Sequence, residues 1–238
     1  MRNLLSRPRA VAGLAIDRIE EDCRLNEPES GDYHLKLVEP NGEGRLEVQH
    51  FIAEAYSRIF GANLREFYPF LIALCGPGNQ LLGASGARYA RGQKLFAEQY
   101  LGMPAEDAIA EQTGNRIDRQ HLVEVGSFSV VRPALTYPFI SMLGSWLQSY
   151  DVDWLLFVLT RSFRRLFERA GIDMLDLGAA SAERLAPSTN DWGSYYWHEP
   201  RIMAVNLQTG LARFQAHRWS ASRPVDSSAA SRFIACPA

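Results

Sequence analysis

Residues 122–131 read LVEVGSFSVV, an apolar run with a single carboxylate, Glu124, near its middle. Because seven of the ten residues are apolar or glycine, the run predicts a central strand of a sheet. An unpaired charge buried in such a strand would be unfavourable by several kcal/mol, so Glu124 has either a partner or a chemical role. The run leads through Arg132-Pro133 into a helical pattern, and α/β proteins usually place their ligands at corners of this kind.

The composition is that of a globular domain. The chain has 238 residues, of which 47% are hydrophobic and 22% charged, which is enough for one large core with extensions. A net charge of -2 provides no field that would attract nucleic acid, so we expect no nucleic-acid partner. Cys23, Cys75 and Cys236 have no C-x-x-C spacing, which argues against a disulfide framework or a zinc site. A reducing cytoplasm is the expected location.

Membrane and metal signals are also absent from the sequence. The N-terminus lacks the apolar segment of a secretory signal, and no stretch approaches the ~18 apolar residues that span a bilayer. The five histidines show no metal-binding spacing, and His198 is notable only because it lies beside an aromatic cluster. We therefore expect neither an integral membrane segment nor a metal.

Strand and helix patterns alternate along the chain. Helical spacing spans 45–62, and the turn sequence at 76–79 joins strand patterns at 67–75 and 80–89 into an antiparallel hairpin. Further strands and helices alternate in the second half, which predicts parallel pairing with helical crossovers. These segments are one or two short helices at 96–112, a helix at 134–149, a strand at 154–160, a basic helix at 161–170 and a strand at 173–178.

The predicted fold class is α/β (α+β). The sheet is mixed, with an antiparallel N-terminal hairpin and a parallel C-terminal half, and helices cover both faces. The predicted domain organisation is an N-terminal extension at 1–30, one domain at 31–210 and a mobile tail at 211–238.

Three sequence stretches carry a resemblance to a known family. They are LFAEQYL at 95–101, VEVG at 123–126 and DWGSYY at 191–196, with Pro200 shortly after. In combination they resemble the thermostable hemolysin family, which is placed with the GNAT-type acyl-CoA N-acyltransferases. The resemblance covers residues 30–208, and it implies a GNAT-like fold and an acyltransferase activity.

A looser resemblance is to the acyl-homoserine lactone synthases, whose central strand carries Glu-x-Ser-Arg-Phe-x-Val. Residues 124–130 read EVGSFSV, so the Glu, Phe and Val match, whereas Gly126 and Ser127 replace the Ser and Arg. An S-adenosylmethionine-dependent synthase is therefore kept as an alternative. A further alternative, which the family name suggests, is a membrane-acting hemolysin-like binding protein without catalysis.

The donor site that the resemblance implies departs from the GNAT pattern. GNAT enzymes carry a glycine-rich loop that closes around the coenzyme A pyrophosphate, whereas residues 131–137 contain no glycine. A helix N-terminus with Arg132 and Thr136 suits one phosphate, so we expect a phosphopantetheine thioester as co-substrate and no tightly bound cofactor. An acyl carrier protein is the expected donor, with acyl-CoA as the alternative. The basic helix at 161–170 either meets that acidic carrier or is simply solvated.

The predicted reaction is transfer of a fatty acyl group to a small amine or amino acid. Glu124 is the predicted base, and Tyr195 or Tyr196 is the predicted acid for the thiolate. The predicted donor-binding residues, whose backbone amides polarise the thioester, are Phe128, Ser129 and Val130, together with Arg132 and Thr136. The predicted acceptor-binding residues are Glu98, Gln99, Tyr100, Ser127, Arg161 and Trp192.

Each assignment has a structural alternative. Glu124 could instead pair with an arginine such as Arg116 or Arg161 and have no chemical role. The aromatic residues at 192–197 could simply cover the core, because aromatic side chains bury large areas. If Glu124 is the base, replacing it with Gln should abolish turnover while leaving the melting behaviour intact.

Overall fold

The structure, a computed structural model, describes residues 33–186 and 190–221, and the side chains only as far as residue 216. The predicted extension at 1–30 and the last part of the predicted tail, 222–238, lie outside the described residues.

A seven-stranded sheet forms the centre of the fold, in the order β1-β2-β3-β4-β5-β7-β6. The strands are β1 (His34–Val38), β2 (Phe70–Cys75), β3 (Leu81–Tyr89), β4 (Leu122–Val130), β5 (Trp154–Leu159), β6 (Leu175–Ala179) and β7 (Arg201–Asn206). The helices are α1 (Arg45–Phe60), α2 (Glu98–Leu101), α3 (Ala105–Thr113), α4 (Thr136–Gln148), α5 (Arg161–Arg169) and α6 (Leu207–Ala221).

The sheet is mixed, as predicted. The pairs β1–β2, β2–β3 and β3–β4 are antiparallel, which confirms the hairpin around the turn at 76–79. In the C-terminal half the parallel pairing is confined to β4–β5. Strand β7, which the sequence analysis did not identify, pairs antiparallel with both β5 and β6 and separates them. Its sequence RIMAVN is only six residues long and runs directly into α6, so no turn signal marks its end.

Helices cover both faces of the sheet, again as predicted. One face carries α4, α5 and α6, whose side chains Phe139, Leu166 and Phe214 join one apolar cluster with β4 and β5. The opposite face carries α1, through Ile52, and the short helices α2 and α3. Alternate residues of each strand face the two layers, so a strand residue's position decides which helices it contacts.

A helix crosses residue 210, where the sequence analysis placed the end of the domain. Helix α6 runs from Leu207 to Ala221, and Leu207, Leu211 and Phe214 are buried. This spacing places all three on one helix face, which packs on α4. The sequence gives little signal for this helix, because its pattern of apolar residues is short and is followed by a stretch rich in Ser and Ala.

Strand β4 separates from β5 halfway along its length. The parallel pairing stops at Val125 opposite Phe157, whereas β5 continues to pair with β7 as far as Leu159. Immediately beyond, Ser127 has a φ of 53° and the pairing with β3 shifts register, which is the geometry of a β-bulge. The bulge turns β4 away from β5 and opens a gap in the sheet.

Candidate active site

A cavity of about 830 Å³ occupies the gap between β4 and β5. Its walls at the level of the sheet are Val125, Gly126, Ser127 and Phe128 of β4 and the residues from Phe157 to Leu159 of β5. The volume is in the range of cavities that enclose whole small molecules. The cavity therefore lies at the point where the only parallel strand pair of the described sheet comes apart.

The inner part of the cavity is apolar. Helix α4 contributes Ile140, Leu143 and Gly144, and α6 contributes Leu211 and Phe214. The main chain of α4 comes close to α6 here, since a Cβ added to Gly144 would lie 3.3 Å from Leu211 Cδ1. This end of the cavity offers no charged group among the side chains that line it.

The outer part of the cavity is formed by the end of α1 and by a short 3-10 helix, Tyr195–His198. Ile59 and Trp197 line it and are 61% and 77% exposed, which marks this end as the opening. Arg58 and His198 also line this part, and they are the charged or titratable groups nearest to solvent there.

Tyr195 connects the 3-10 helix to the gap. Its hydroxyl donates to the carbonyl oxygen of Val158 at 3.1 Å, and its ring packs against Tyr56 and Phe60. Burial raises the pKa of Tyr195 well above its ordinary value. The phenol is therefore protonated at neutral pH and lies at the end of β5 that faces the gap.

Glu124 lies outside this cavity. The side chain has no exposed surface, and its two oxygens accept from the backbone N–H groups of Phe96 and Ala97 at 2.7 and 2.8 Å. Neither Arg116 nor Arg161 pairs with it in the described chain; the partners are amides of the segment before α2. Burial raises the pKa of Glu124 to about 7, against the opposing effect of these two hydrogen bonds.

A second buried carboxylate, Glu98, stabilises the segment that precedes and includes α2. It accepts from the N–H groups of Leu95 and Ala105 and forms an ion pair with Arg119 at 2.6 Å. Burial opposes ionisation, but the hydrogen bonds from Arg119 and the amides lower the pKa of Glu98. Glu98 therefore holds the turn around α2 rather than facing the cavity.

Most of the remaining predicted acceptor residues also lie apart from the cavity walls. The hydroxyl groups of Tyr100 and Tyr196 lie 2.6 Å apart, and Gln99 accepts from the backbone of Ala186. Trp192 packs on Tyr195 and Tyr196. Arg161 is exposed and pairs with Glu199 at 3.5 Å. Ser127 alone of the predicted acceptor set lines the cavity.

The predicted donor residues divide in the same way. Phe128 lines the cavity, whereas Ser129 and Thr136 are buried and Val130 packs into the core. Arg132 is exposed, 3.5 Å from the hydroxyl of Tyr33. The structure thus brings Ser127, Phe128 and Tyr195 together in one cavity, while Glu124 and Tyr196 stay outside its walls.

Tyr68 covers the strand glycines beside the gap, and sequence reasoning did not identify it. A Cβ on Gly86 would lie 2.6 Å from Tyr68 Cγ, and one on Gly126 would lie 2.8 Å from Tyr68 Cζ. The two glycines therefore provide a flat surface for the ring. The guanidinium of Arg88 lies 5.5 Å from the centre of the same ring.

Sequence reasoning also missed His198, Arg58 and Ile140 as cavity residues. The available signal for His198 was its place in the run WGSYYWH, three residues after Tyr195, so that one turn of helix carries both. No signal marked Arg58 or Ile140, because both belong to ordinary amphipathic helix patterns.

Neither a metal centre nor a membrane span is found in the part of the chain that the structure describes. No group of three His, Cys, Asp or Glu side chains there is arranged to hold a metal ion. Among the described helices, none is both long enough and apolar enough to cross a bilayer.

Solved structures with the same fold include several acyl-transfer enzymes. The N-acyl amino acid synthase FeeM from uncultured soil microbes aligns with a TM-score of 0.56 and 15% identity, over 81% of this chain and 100% of that one. The AHL synthase LasI aligns with a TM-score of 0.52 and 11% identity, over 78% and 96%. The CoA-dependent acyl-homoserine lactone synthase BjaI aligns with a TM-score of 0.53 and 13% identity, over 81% and 90%. At these identities the similarity establishes the fold, which confirms the predicted fold class.

A comparison with curated protein sequences finds no significant relative. The family model described as thermostable hemolysin matches residues 38–211, which is most of the chain and includes every cavity-lining residue except Phe214. The match confirms the resemblance carried by the sequence stretches around Tyr100, Glu124 and Tyr195. The chain therefore belongs to the thermostable hemolysin family.

Proposed function

We propose that this protein is an acyltransferase that moves a fatty acyl group from a carrier thioester to a small amine or amino acid. The observation that carries the proposal is the apolar cavity that passes through the sheet where β4 and β5 separate. A cavity of this shape holds a long apolar chain at one end and leaves the other end open to a second substrate.

The inner end of the cavity suits an acyl chain. Side chains of α4 and α6 such as Ile140, Leu143 and Phe214 offer hydrocarbon contacts along it. Each methylene that leaves water for such a surface contributes about 0.8 kcal/mol to binding. The distance that the cavity extends between α4 and α6 then determines the length of the acyl chain that binds.

The gap itself suits the thioester carbonyl. Beyond Val125, the edge of β4 that faces β5 has no β5 residue paired with it. Unpaired backbone N–H groups aimed into a water-poor gap are the usual means of stabilising an oxyanion. We assign this role to the backbone around Phe128, as the sequence analysis predicted, with Ser129 and Val130 continuing the strand.

The donor arm enters, in this proposal, beside the N-terminus of α4. Ile140 in the cavity wall lies one helical turn after Thr136, the first residue of α4. The first turn has no side-chain cap, and Arg132 precedes it, so a phosphate meets the positive end of the helix dipole and one full positive charge. The absence of glycine in this loop favours a phosphopantetheine arm on an acyl carrier protein over coenzyme A.

The leaving thiolate needs an acid, and Tyr195 is the predicted acid that lines the cavity. Its hydroxyl is bonded to Val158 at the edge of the gap, so the proton is held within reach of a thioester there. The assignment of Glu124 as the base stays a prediction. Its geometry supports a positioning role, because it holds the backbone of Phe96 and Ala97 in place.

The acceptor class is supported by the shared fold with FeeM, whose described activity is N-acyl amino acid synthesis. A second candidate is an acyl-homoserine-lactone-like synthase that uses S-adenosylmethionine, supported by the shared fold with LasI and BjaI and by the Glu124, Phe128 and Val130 match. Gly126 and Ser127 depart from that pattern, so we place this candidate second.

The test is a thiol-release assay. Purified protein is incubated with dodecanoyl-CoA or dodecanoyl acyl carrier protein and either a mixture of amino acids and small diamines or S-adenosylmethionine. We expect thiol release that depends on an amine, and an N-acyl product by mass spectrometry. Release that requires S-adenosylmethionine favours the second candidate. Vesicle leakage without release from either donor favours the membrane-acting alternative and overturns the proposal.

A further inference from the structure

We propose that His198 is the general base that takes the proton from the acceptor's ammonium group. This inference rests on the proposed acyl transfer and adds a catalytic residue to it. It starts from the position of Glu124, which lies outside the cavity walls with both of its oxygens occupied.

Among the side chains that line the cavity, the imidazole of His198 is the one with a nitrogen lone pair that can accept a proton. The titratable or charged side chains in its walls are Tyr56, Arg58, Tyr195 and His198. Burial raises the pKa of Tyr56 and of Tyr195, so both phenols stay protonated. Arginine stays charged, whereas histidine exchanges a proton in the physiological range.

The imidazole of His198 is not engaged by another described side chain through a hydrogen bond. Within the described part of the chain, neither ring nitrogen of His198 has a hydrogen-bond or ion-pair partner. The ring lies edge to face with Phe60, with 5.3 Å between centroids, and it is half-buried at the open end of the cavity. A base must reach the proton that it abstracts, and this position meets a substrate that enters from solvent.

The backbone around His198 is held in one conformation. Glu199, the next residue, has a φ of 49°, which a non-glycine residue adopts only when its surroundings enforce it. Arg164 provides that restraint, because its Nη1 donates to the carbonyl oxygens of Glu199 at 2.6 Å and of Leu159 at 3.1 Å. The guanidinium thus fixes the residue after His198 to the end of β5, beside the gap.

Charged and titratable groups that share the cavity wall with His198, or follow it in sequence, come from several elements. Helix α1 contributes Tyr56 and Arg58, and the 3-10 helix contributes Tyr195. Glu199 follows in sequence and pairs with Arg161 of α5, and Arg164 of α5 bonds to its carbonyl. The carboxylate of Glu199 is thus shared with a cation, and no described carboxylate bonds to the imidazole.

The proton balance of the step is complete. His198 takes one proton from the ammonium, and the neutral nitrogen attacks the thioester carbonyl to form a C–N bond. The C–S bond breaks, and the sulfur leaves as a thiolate. Tyr195 protonates the thiolate and is reprotonated by the second proton that the nitrogen loses, and the imidazolium returns its proton to solvent. The products are an amide, a thiol and one proton.

The test compares His198→Gln with His34→Gln, a matched change at an exposed histidine of β1. Turnover is measured with dodecanoyl-CoA, dodecanoyl acyl carrier protein and the same amine mixture between pH 6 and 9. Loss of a general base lowers kcat by a factor of about 10² to 10⁴ at neutral pH. For His198→Gln we expect that loss, a KM for the donor close to that of the unmodified protein, and partial recovery at high pH or on addition of imidazole.

Each result has a separate meaning. If the unmodified protein turns over and His198→Gln retains its rate across the pH range, the inference is wrong and acyl transfer stands. A rate loss that neither high pH nor imidazole restores, with lowered stability in urea, indicates a packing role against Phe60 and also overturns the inference. If the unmodified protein releases no thiol from either donor, the acyl-transfer proposal fails and the inference fails with it.

Discussion

The ring of Tyr68 lies against Gly126, so closely that a Cβ at position 126 would be 2.8 Å from Tyr68 Cζ. Gly86 on the neighbouring strand meets the other end of the ring in the same way, and Arg45 bonds to the carbonyl oxygen of Tyr68 at 2.7 Å. The ring is therefore packed against both β3 and β4. This contact explains why glycine, and not the serine of the lactone synthase pattern, suits position 126.

Gly126→Ala should destabilise the fold through this contact. Overpacking of this kind costs about 1 to 3 kcal/mol of unfolding free energy, measured in urea. The control is the same change in a Tyr68→Ala background, where the added methyl meets no ring and the cost should be smaller. An equal cost in both backgrounds would show that the close approach of Tyr68 is not the cause.

Glu124→Gln should lower stability as well as activity. A glutamine offers one acceptor oxygen to the two N–H groups of Phe96 and Ala97, so one buried donor loses its partner. Such a donor costs about 1 to 3 kcal/mol, read from urea unfolding against Glu111→Gln, an exposed change on α3. Lost turnover with unchanged unfolding would instead support Glu124 as the base, as the sequence analysis predicted.

The same carboxyl group predicts a pH dependence of stability. Burial raises the pKa of Glu124 from 4.5 to about 7, so between these values the folded chain binds more protons at this site than the unfolded chain. Its contribution to the unfolding free energy therefore falls as pH rises through that window, by on the order of 3 kcal/mol in total. The Glu124→Gln variant lacks this pH-dependent contribution to the unfolding free energy.

The measurement is urea unfolding of both proteins at pH 5 and pH 8. We expect the stability difference between the unmodified protein and Glu124→Gln to be larger at pH 5. A difference that is the same at both pH values would mean that the pKa of Glu124 is not raised in the folded state.

Ile140→Trp should shorten the acyl chain that the cavity accepts, because Ile140 lies in its wall on α4. A chain that no longer fits loses about tenfold or more in kcat/KM, whereas a short chain is little affected. The control is Ser145→Trp, an exposed position on the same helix. The measurement is kcat/KM for acyl donors of increasing length, and an unchanged length preference in Ile140→Trp would place the acyl chain elsewhere.

Much of the fold was predictable because its signals are local. The hairpin β2–β3 follows from turn residues at 76–79, and β4 follows from an apolar run that ends before Pro133. The strand β7 and the helix α6 were not identified, since β7 has only four apolar residues, Ile202 to Val205, and runs into the helix without a turn. The sequence also did not predict that the parallel pairing of β4 with β5 ends at Val125, because this end depends on a bulge at Ser127.

The candidate site was predictable in part. The sequence alone indicated the strands β4 and β5 on the two sides of the gap, the family, and three residues that line the cavity, Ser127, Phe128 and Tyr195. Only the tertiary structure showed that Glu124 faces the backbone of Phe96 and Ala97 and that His198 faces the cavity. Strand periodicity determines that alternate residues share a face, but what covers each face depends on segments far away in the chain.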